Sequence, residues 1–312
     1  RVYQEYLLPG QDVTKVEQVW NQIIAQHGAL RGVVERDGTL TVRARVPRYV
    51  VTSHDLTGLP VAQIREHLND VAEDMSGRPI QLGRWPMFAV EASLVPGGGT
   101  VLHLLVDAMV ADARSIALFC GQLFAAYGGD QEAIGADDTA RLVQHLSTEA
   151  ARENGPEAAA AAEEWDQRFA MLAPGPSLPD TGRRTHLACE ICDWHRVIEH
   201  AEGLGIPTDM LLLTAYVDAL REVYAVPFTV VVVSWDRAEQ MTDVVGDFTR
   251  LSWLVVDDTL PENGNERAQE IWARVRADLV RDSRCSGLSR LRGLVLRSDG
   301  AFSLDSFLSR RV

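Results

Sequence analysis

Two α/β lobes, each organised around one buried strand, are predicted for this 312-residue chain from three observations. The runs Val-Leu-His-Leu-Leu-Val at 101–106 and Thr-Val-Val-Val-Val-Ser at 229–234 are almost continuously apolar, the pattern of strands covered on both faces. Helical periodicity flanks each run. Between them the decapeptide 173–182, rich in Pro and Gly, continues neither a helix nor a central strand. The predicted division is an N-terminal lobe over 1–173 and a C-terminal lobe over 174–312.

In chain order, a strand opens the first lobe over residues 1–8. A helix from Asp12 to His27 follows, with Val13, Val16, Trp20, Ile23 and Ile24 on one face and Thr14 with Glu17 as a capping box. Leu30 to Val46 alternates around Asp37-Gly38, a hairpin signal. Leu59 to Met75 is a second helix. The apolar run from Trp85 to Val95 and the strand 101–106 flank Pro-Gly-Gly-Gly and are predicted to be antiparallel neighbours. A helix then carries Ile116, Phe119, Cys120, Leu123 and Tyr127 on one side. From Gly128 to Ala162 the composition turns to Ala, Glu and Asp, read as solvated helices and a mobile connection, before a helix around Trp165 to Leu172. The second lobe repeats the pattern: a strand over 184–192, a helix over 194–203, a buried helix from Met210 to Tyr224, a central strand from Phe228 to Trp235, a strand from Leu251 to Val256 and a helix from Glu266 to Asp282.

Composition excludes several classes of function. A net charge of −14 opposes a nucleic-acid surface, because a phosphate backbone would be repelled. No apolar run approaches the length of a membrane span, so a soluble, cytoplasmic protein is expected. Cys120, Cys189, Cys192 and Cys285 form neither a disulfide-dense pattern nor a metal array. Cys189 and Cys192 make a lone CxxC inside an alternating segment, and without a second pair or nearby histidines no metal site is expected. The chain opens inside a strand-like segment at Arg1, which suggests a start part-way into a larger polypeptide.

The stretch that invites chemistry lies between the 101–106 strand and its helix: Asp107-Ala-Met-Val-Ala-Asp112-Ala-Arg-Ser115. Two carboxylates in such a connection are costly to desolvate unless they are paired or used. The plainer alternative is that Asp112 or Ser115 only caps the helix.

This DxxxxDxxS pattern resembles the signature of heterocyclization domains of nonribosomal peptide synthetases, the branch of the condensation-domain family with two Asp in place of a tandem-His motif. Further resemblances follow in order along nearly the whole chain: Val-Tyr-Gln-Glu-Tyr at 2–6, Ala-Leu-Arg at 29–31, Arg-Trp-Pro-Met-Phe at 84–88 and Val-Gly-Asp-Phe-Thr at 245–249. The fold this implies is a pair of chloramphenicol-acetyltransferase-like lobes in a V, with a central tunnel reached from two sides by carrier-protein arms. The implied partners are donor and acceptor peptidyl carrier proteins and neighbouring synthetase domains. Substrates would arrive on phosphopantetheine, already activated as thioesters, with no bound cofactor, nucleotide or metal.

Residue by residue, the resemblance puts Asp107 in the place of the first motif His and Ala108 where a condensing enzyme keeps its active His, so an imidazole base is missing. Asp112 is expected to pair with Arg237, a structural pair locking the lobes, with Ser115 beside it at the helix start. Asp107 would line the tunnel and, with a raised pKa, orient or relay a proton for an incoming amine. Asp247 and Thr249 would border the channel, or hold an Asx-type turn. Downstream, Asp305 stands where the family's cyclodehydration Thr belongs, and the family's opening segment and its Gln-Thr-Pro…Asp-His-Gln segment have no counterpart in these 312 residues. The expectation is a heterocyclization-type condensation domain. Two alternatives accompany it: a condensation-like domain that has lost cyclodehydration, and an acyltransferase in which His103 of His103-x-x-x-Asp107 is the general base. Against the last, His103 lies inside the apolar run and Asp107 is not followed closely by the expected Gly.

Overall fold

The computed structural model describes residues 1–36, 38–79, 81–153, 155–175, 191–235 and 237–282. Their backbone divides into two units, 1–148 with 235–248, and 149–234 with 249–282. This differs from the predicted boundary near 173. The helix before it packs Trp165 and Phe169 on Trp253, so that segment shares a core with the second unit. The stretch 235–248 returns to the first unit because Met241, Val244, Val245 and Phe248 are buried in its core.

The first unit is built on a four-stranded sheet in the order β1-β6-β5-β4, with β1 Val2–Pro9, β4 Thr52–Asp55, β5 Phe88–Val95 and β6 Gly99–Val106. As expected, β5 and β6 are antiparallel, and β1 adds to the far edge of β6 in the same sense. The strand β4 was not anticipated: Thr-Ser-His-Asp carries no apolar alternation, and it pairs in parallel with β5. Pleating sends Leu102, Leu104 and Val106 to one face, where α1 (Val13–Gln26) and α3 (Ala113–Gly128) cover them. His103 and Leu105 point to the other face, against α2 (Val61–Gly77), whose Val71 and Met75 are buried with Leu105. Trp20 of α1 is fully buried and meets Phe88 and Phe119 edge-on at 5.3 and 5.5 Å.

Local chemistry sets the element ends. The expected Thr14–Glu17 capping box does not form; Asp12 caps α1 by accepting Lys15 N–H at 2.9 Å. Glu17 is thereby left to take Arg48 and the Val51 N–H. The hairpin is shorter than predicted, β2 (Gly32–Val34) on β3 (Leu40–Val42), with Gly38 in the left-handed region at φ +87°. Asp37 itself lies outside the described residues.

In the second unit, β7 (Phe228–Trp235) and β8 (Thr249–Val256) pair. Helices α6 (Trp194–Leu204), α7 (Thr208–Val223) and α8 (Gly264–Asp282) contribute Ala201, Met210, Val217, Ile271 and Val275 to its core. The helix α7 is half-buried rather than buried, exposing Leu212, Tyr216 and Val223. Helices α4 (Thr139–Glu153) and α5 (Pro156–Ala170) occupy the region read as solvated helices, and most of their described residues up to 162 are exposed or half-buried. The predicted strand over 184–192 falls almost wholly outside the described residues, as do Cys189 and Cys285. Among the described residues no helix is long and apolar enough to cross a membrane.

Because Trp20 fills the space between two aromatic rings, Trp20→Ala leaves a cavity that the rigid sheet cannot close. We expect a loss of about 3–5 kcal/mol, read as a lower urea midpoint with unchanged slope.

Candidate functional site

At the end of β6 the chain leaves the sheet through a tight turn. Asp107 N–H donates to Met87 O at 2.9 Å, tying the exit of β6 to the entry of β5, and Val110 N–H donates to Asp107 O at 3.1 Å. Val110 and Ala111 are buried and pull the connection back onto the core before α3 starts. The two carboxylates of the motif therefore enter different surroundings.

Asp112 is the N-cap of α3. Its Oδ1 accepts from Ser115 N–H at 2.7 Å, and Arg237 Nη2 donates to Oδ1 at 2.7 Å and to Oδ2 at 2.9 Å. Phe248 N–H donates to Oδ2 at 3.2 Å. Arg237 also donates from Nη1 to the carbonyls of Met241 (3.1 Å) and Val244 (2.5 Å), and from Nη2 to Ser115 Oγ (2.7 Å). Its guanidinium lies 4.0 Å from the centre of the Phe248 ring. The side chains of Asp112 and Arg237 are only 2% and 3% exposed. Ser115 does more than start the helix: its hydroxyl donates to Gly246 O at 2.8 Å and accepts from Gly246 N–H at 3.0 Å. Gly246 must approach closely, because a Cβ there would sit 3.0 Å from both Leu142 Cδ1 and Phe248 Cε2. The structure thus brings Asp112, Ser115 and Arg237 together. Both partners of the ion pair belong to the same unit, so it ties a loop into one core rather than joining two lobes.

Asp107 is also buried, yet among the described residues its carboxylate receives one hydrogen bond, from Met109 N–H at 3.0 Å. Burial pushes its carboxyl above the usual aspartate range, with the Met109 N–H acting in the opposite direction. Asp247 is exposed and Thr249 half-buried, flanking buried Phe248. Asp305 lies outside the described residues.

His103 sits in mid-strand with no exposed surface. The Tyr3 hydroxyl donates to Glu5 Oε1 at 2.7 Å, which leaves its oxygen to accept from His103 Nδ1–H at 2.7 Å; the Ser93 hydroxyl, 2.9 Å from Nε2, is then the donor there. Burial lowers the imidazole's pKa and keeps it neutral. A histidine with both nitrogens occupied inside a sheet is a packing residue, not an available base.

Sequence reasoning missed a further buried carboxylate, Asp138, which meets His27 Nδ1 at 2.6 Å and accepts Gly28 N–H and Val245 N–H. The doublet Asp137-Asp138 before Thr139 was the available signal: one Asp suffices to cap a helix.

Two outcomes follow from these geometries. Arg237→Leu leaves Asp112 buried beside too few donors and should cost about 3–5 kcal/mol in urea unfolding. Asp107→Asn should instead stabilise the fold at neutral pH. A carboxyl whose folded pKa is raised costs stability wherever it is ionised in both states. That cost disappears as pH falls through the raised value toward the ordinary one near 4. Urea midpoints of wild type and variant should therefore differ at pH 7 and converge below about pH 4.

No family model matches the chain. Pyochelin synthetase PchF of Pseudomonas aeruginosa is 28% identical over 95% of this chain, and phenyloxazoline synthase MbtB of Mycolicibacterium paratuberculosis is 28% identical over 86% of it. The chain spans 17% and 24% of those proteins' lengths. Among solved structures, the EpoB cyclization-docking bidomain from Sorangium cellulosum shares the fold, with TM-score 0.74 and 21% identity over 93% of this chain and 62% of that one. The nonribosomal peptide synthetase FmoA3 gives TM-score 0.73 and 26% identity over 96% of this chain and 32% of that one. The chain is thus similar in sequence, over most of its own length, to parts of these synthetases, and it shares a fold with the cyclization-docking bidomain.

Proposed function

We propose that the chain catalyses heterocyclization-type condensation. An amine of a cysteinyl, seryl or threonyl thioester on an acceptor carrier protein attacks the thioester carbonyl of a donor carrier protein, expelling the donor's pantetheine thiol and forming an amide. The acceptor side chain then adds to that amide carbonyl, and loss of water leaves a thiazoline or oxazoline. No electron changes hands in either stage.

The observation that carries this reading is the division of labour between two aspartates five residues apart. Asp112 is surrounded by donors and is committed to holding backbone. Asp107 is buried with its pKa raised by that burial and, among the described residues, accepts one hydrogen bond, the condition of a carboxyl with spare capacity to hold or pass a proton. Its proposed role is to orient the incoming amine and relay its proton. Asp247 and Thr249 are proposed to act beside it, and positioning of the two tethered substrates supplies most of the rate. The relatives' names, phenyloxazoline synthase and a cyclization bidomain, support the cyclising stage.

Reconstitution with loaded carrier proteins tests the proposal by mass spectrometry of the acceptor-bound product. Heterocycle is expected, and Asp107→Asn should slow product formation by about 10²-fold without loss of stability. Neither amide nor heterocycle from the wild type would overturn it. Amide alone would favour the second reading, a condensing domain without cyclodehydration, to which the Asp at 305 in place of Thr already points.

A further inference from the structure

The run Val245–Phe248 is held by more than Asp112. Val245 N–H donates to Asp138 Oδ2 at 3.0 Å, Gly246 N–H to Ser115 Oγ at 3.0 Å and Phe248 N–H to Asp112 Oδ2 at 3.2 Å. Three of these four successive amides thus end on two buried carboxylates and the hydroxyl between them. The residue skipped between the last two anchors, Asp247, is the one whose side chain is exposed.

Asp138 stands at the start of α4 but does not serve that helix with its side chain. Asp137 Oδ1 already accepts Thr139 N–H at 2.8 Å. Asp138, 1% exposed, turns inward: Oδ1 accepts Gly28 N–H at 2.9 Å, Oδ2 accepts Val245 N–H, and His27 Nδ1 lies 2.6 Å from Oδ2. His27 is fully buried in turn, with Nε2 2.7 Å from Gln122 Oε1 on α3. One carboxylate therefore joins the end of α1, the start of α4 and the 245–248 loop, and through His27 reaches α3. Burying a second carboxylate beside an already capped helix start is costly. What it gains is a fixed point for the first amide of the loop.

We propose that Asp138 is a positioning residue for the site: it fixes the backbone at Val245 and so the direction in which Asp247 is presented, while His27 holds the carboxylate in place. This rests on the heterocyclization reading in that Asp247 is taken to act in the cyclising stage.

The test uses the intact chain, reconstituted with loaded carrier proteins, and reads the ratio of heterocycle to uncyclised amide. That ratio does not depend on how much of a variant is folded. Asp138→Asn keeps the shape but replaces one acceptor oxygen by a donor. It should lower the ratio by about 10-fold or more, as Asp247→Asn does, and the double variant should lower it no further. If Asp138→Asn fails to fold, His27→Gln, which leaves both carboxylate oxygens in place, should shift the ratio in the same direction by less. Equal loss of both products, or full additivity in the double variant, would overturn the proposal. Amide hydrogen exchange on the same proteins separates this from the functional reading. Exchange at Val245 should quicken in Asp138→Asn while α3 amides stay protected. If the wild type makes no heterocycle, the functional reading fails and the exchange result alone decides: unchanged exchange at Val245 refutes the positioning role, and faster exchange supports it.

Discussion

The buried pair of Asp112 and Arg237 is the constraint on which the first unit's loop depends. Buried ion pairs are often replaceable by apolar residues of similar volume with no loss of stability, because desolvation consumes the Coulombic gain. Here that exchange would be costly for a reason unrelated to charge. The carboxylate accepts Ser115 N–H and Phe248 N–H, and the guanidinium donates to the Met241 and Val244 carbonyls. A pair of leucines would leave three of those backbone groups, Ser115 N–H, Phe248 N–H and Val244 C=O, buried without partners, while Met241 C=O would keep only the Val244 N–H. The ion pair is therefore best understood as an adaptor between the first turn of α3 and an irregular loop that cannot satisfy itself. Among the described residues Arg237 Nε has no hydrogen-bond partner, and the Phe248 ring against the guanidinium face offsets part of that deficit.

Asp138 repeats the same solution a few residues earlier in the loop. Between them the two carboxylates make irregular backbone behave like part of the core, which is how Val244, Val245 and Phe248 can be buried there although they belong to no strand or helix. This also accounts for Gly246. The hydroxyl of Ser115 reads both its N–H and its C=O, and no side chain fits between Leu142 and Phe248 at that distance. A loop so held can present one residue outward reproducibly, which a loop satisfied by solvent cannot.

What was legible in the sequence follows from range. Periodicity is a local signal, and it located α1, α2, α3, β5 and β6 to within a few residues, because each buries one face or both against the sheet. The strand β4 escaped because its four residues, Thr52–Asp55, belong to the sheet through backbone pairing and not through apolar side chains. The site divided in the same way. Asp112 with Arg237 was inferable because a buried carboxylate in a strand-to-helix turn needs a cation, and Arg237, just past the apolar strand 228–235, supplies one. Asp138 was not, because its partners at Gly28 and Val245 lie 110 and 107 residues away, and an acidic doublet before a helix has a sufficient local explanation in capping. The reading of 128–162 as solvated helices holds for most of its described residues, with Asp138, Leu142 and Ala161 as the buried exceptions.

The polar face of the sheet explains why His103 was tempting and why it is inert. Register aligns Glu5, His103 and Glu91 across three adjacent strands. Burial raises Glu91, but His54 and Arg78 more than offset this and hold its carboxyl below the usual range. His103 between the two glutamates is saturated by Tyr3 and Ser93, so every strong donor and acceptor around it is already spent on the sheet. Asp107, four residues on, leaves the same strand where the sheet's partners end. A carboxyl at that point must be neutral, paired or used, and among the described residues it has a pKa raised by burial and one amide donor, Met109 N–H. A chain selected only for stability would have placed Asn there, since Asn can accept the same Met109 N–H without the charge. An acid at a position where an amide could accept the same N–H is what separates Asp107 from Asp112, and it is the physical ground on which the proposed proton relay is given to the first aspartate of the pair while the second holds backbone.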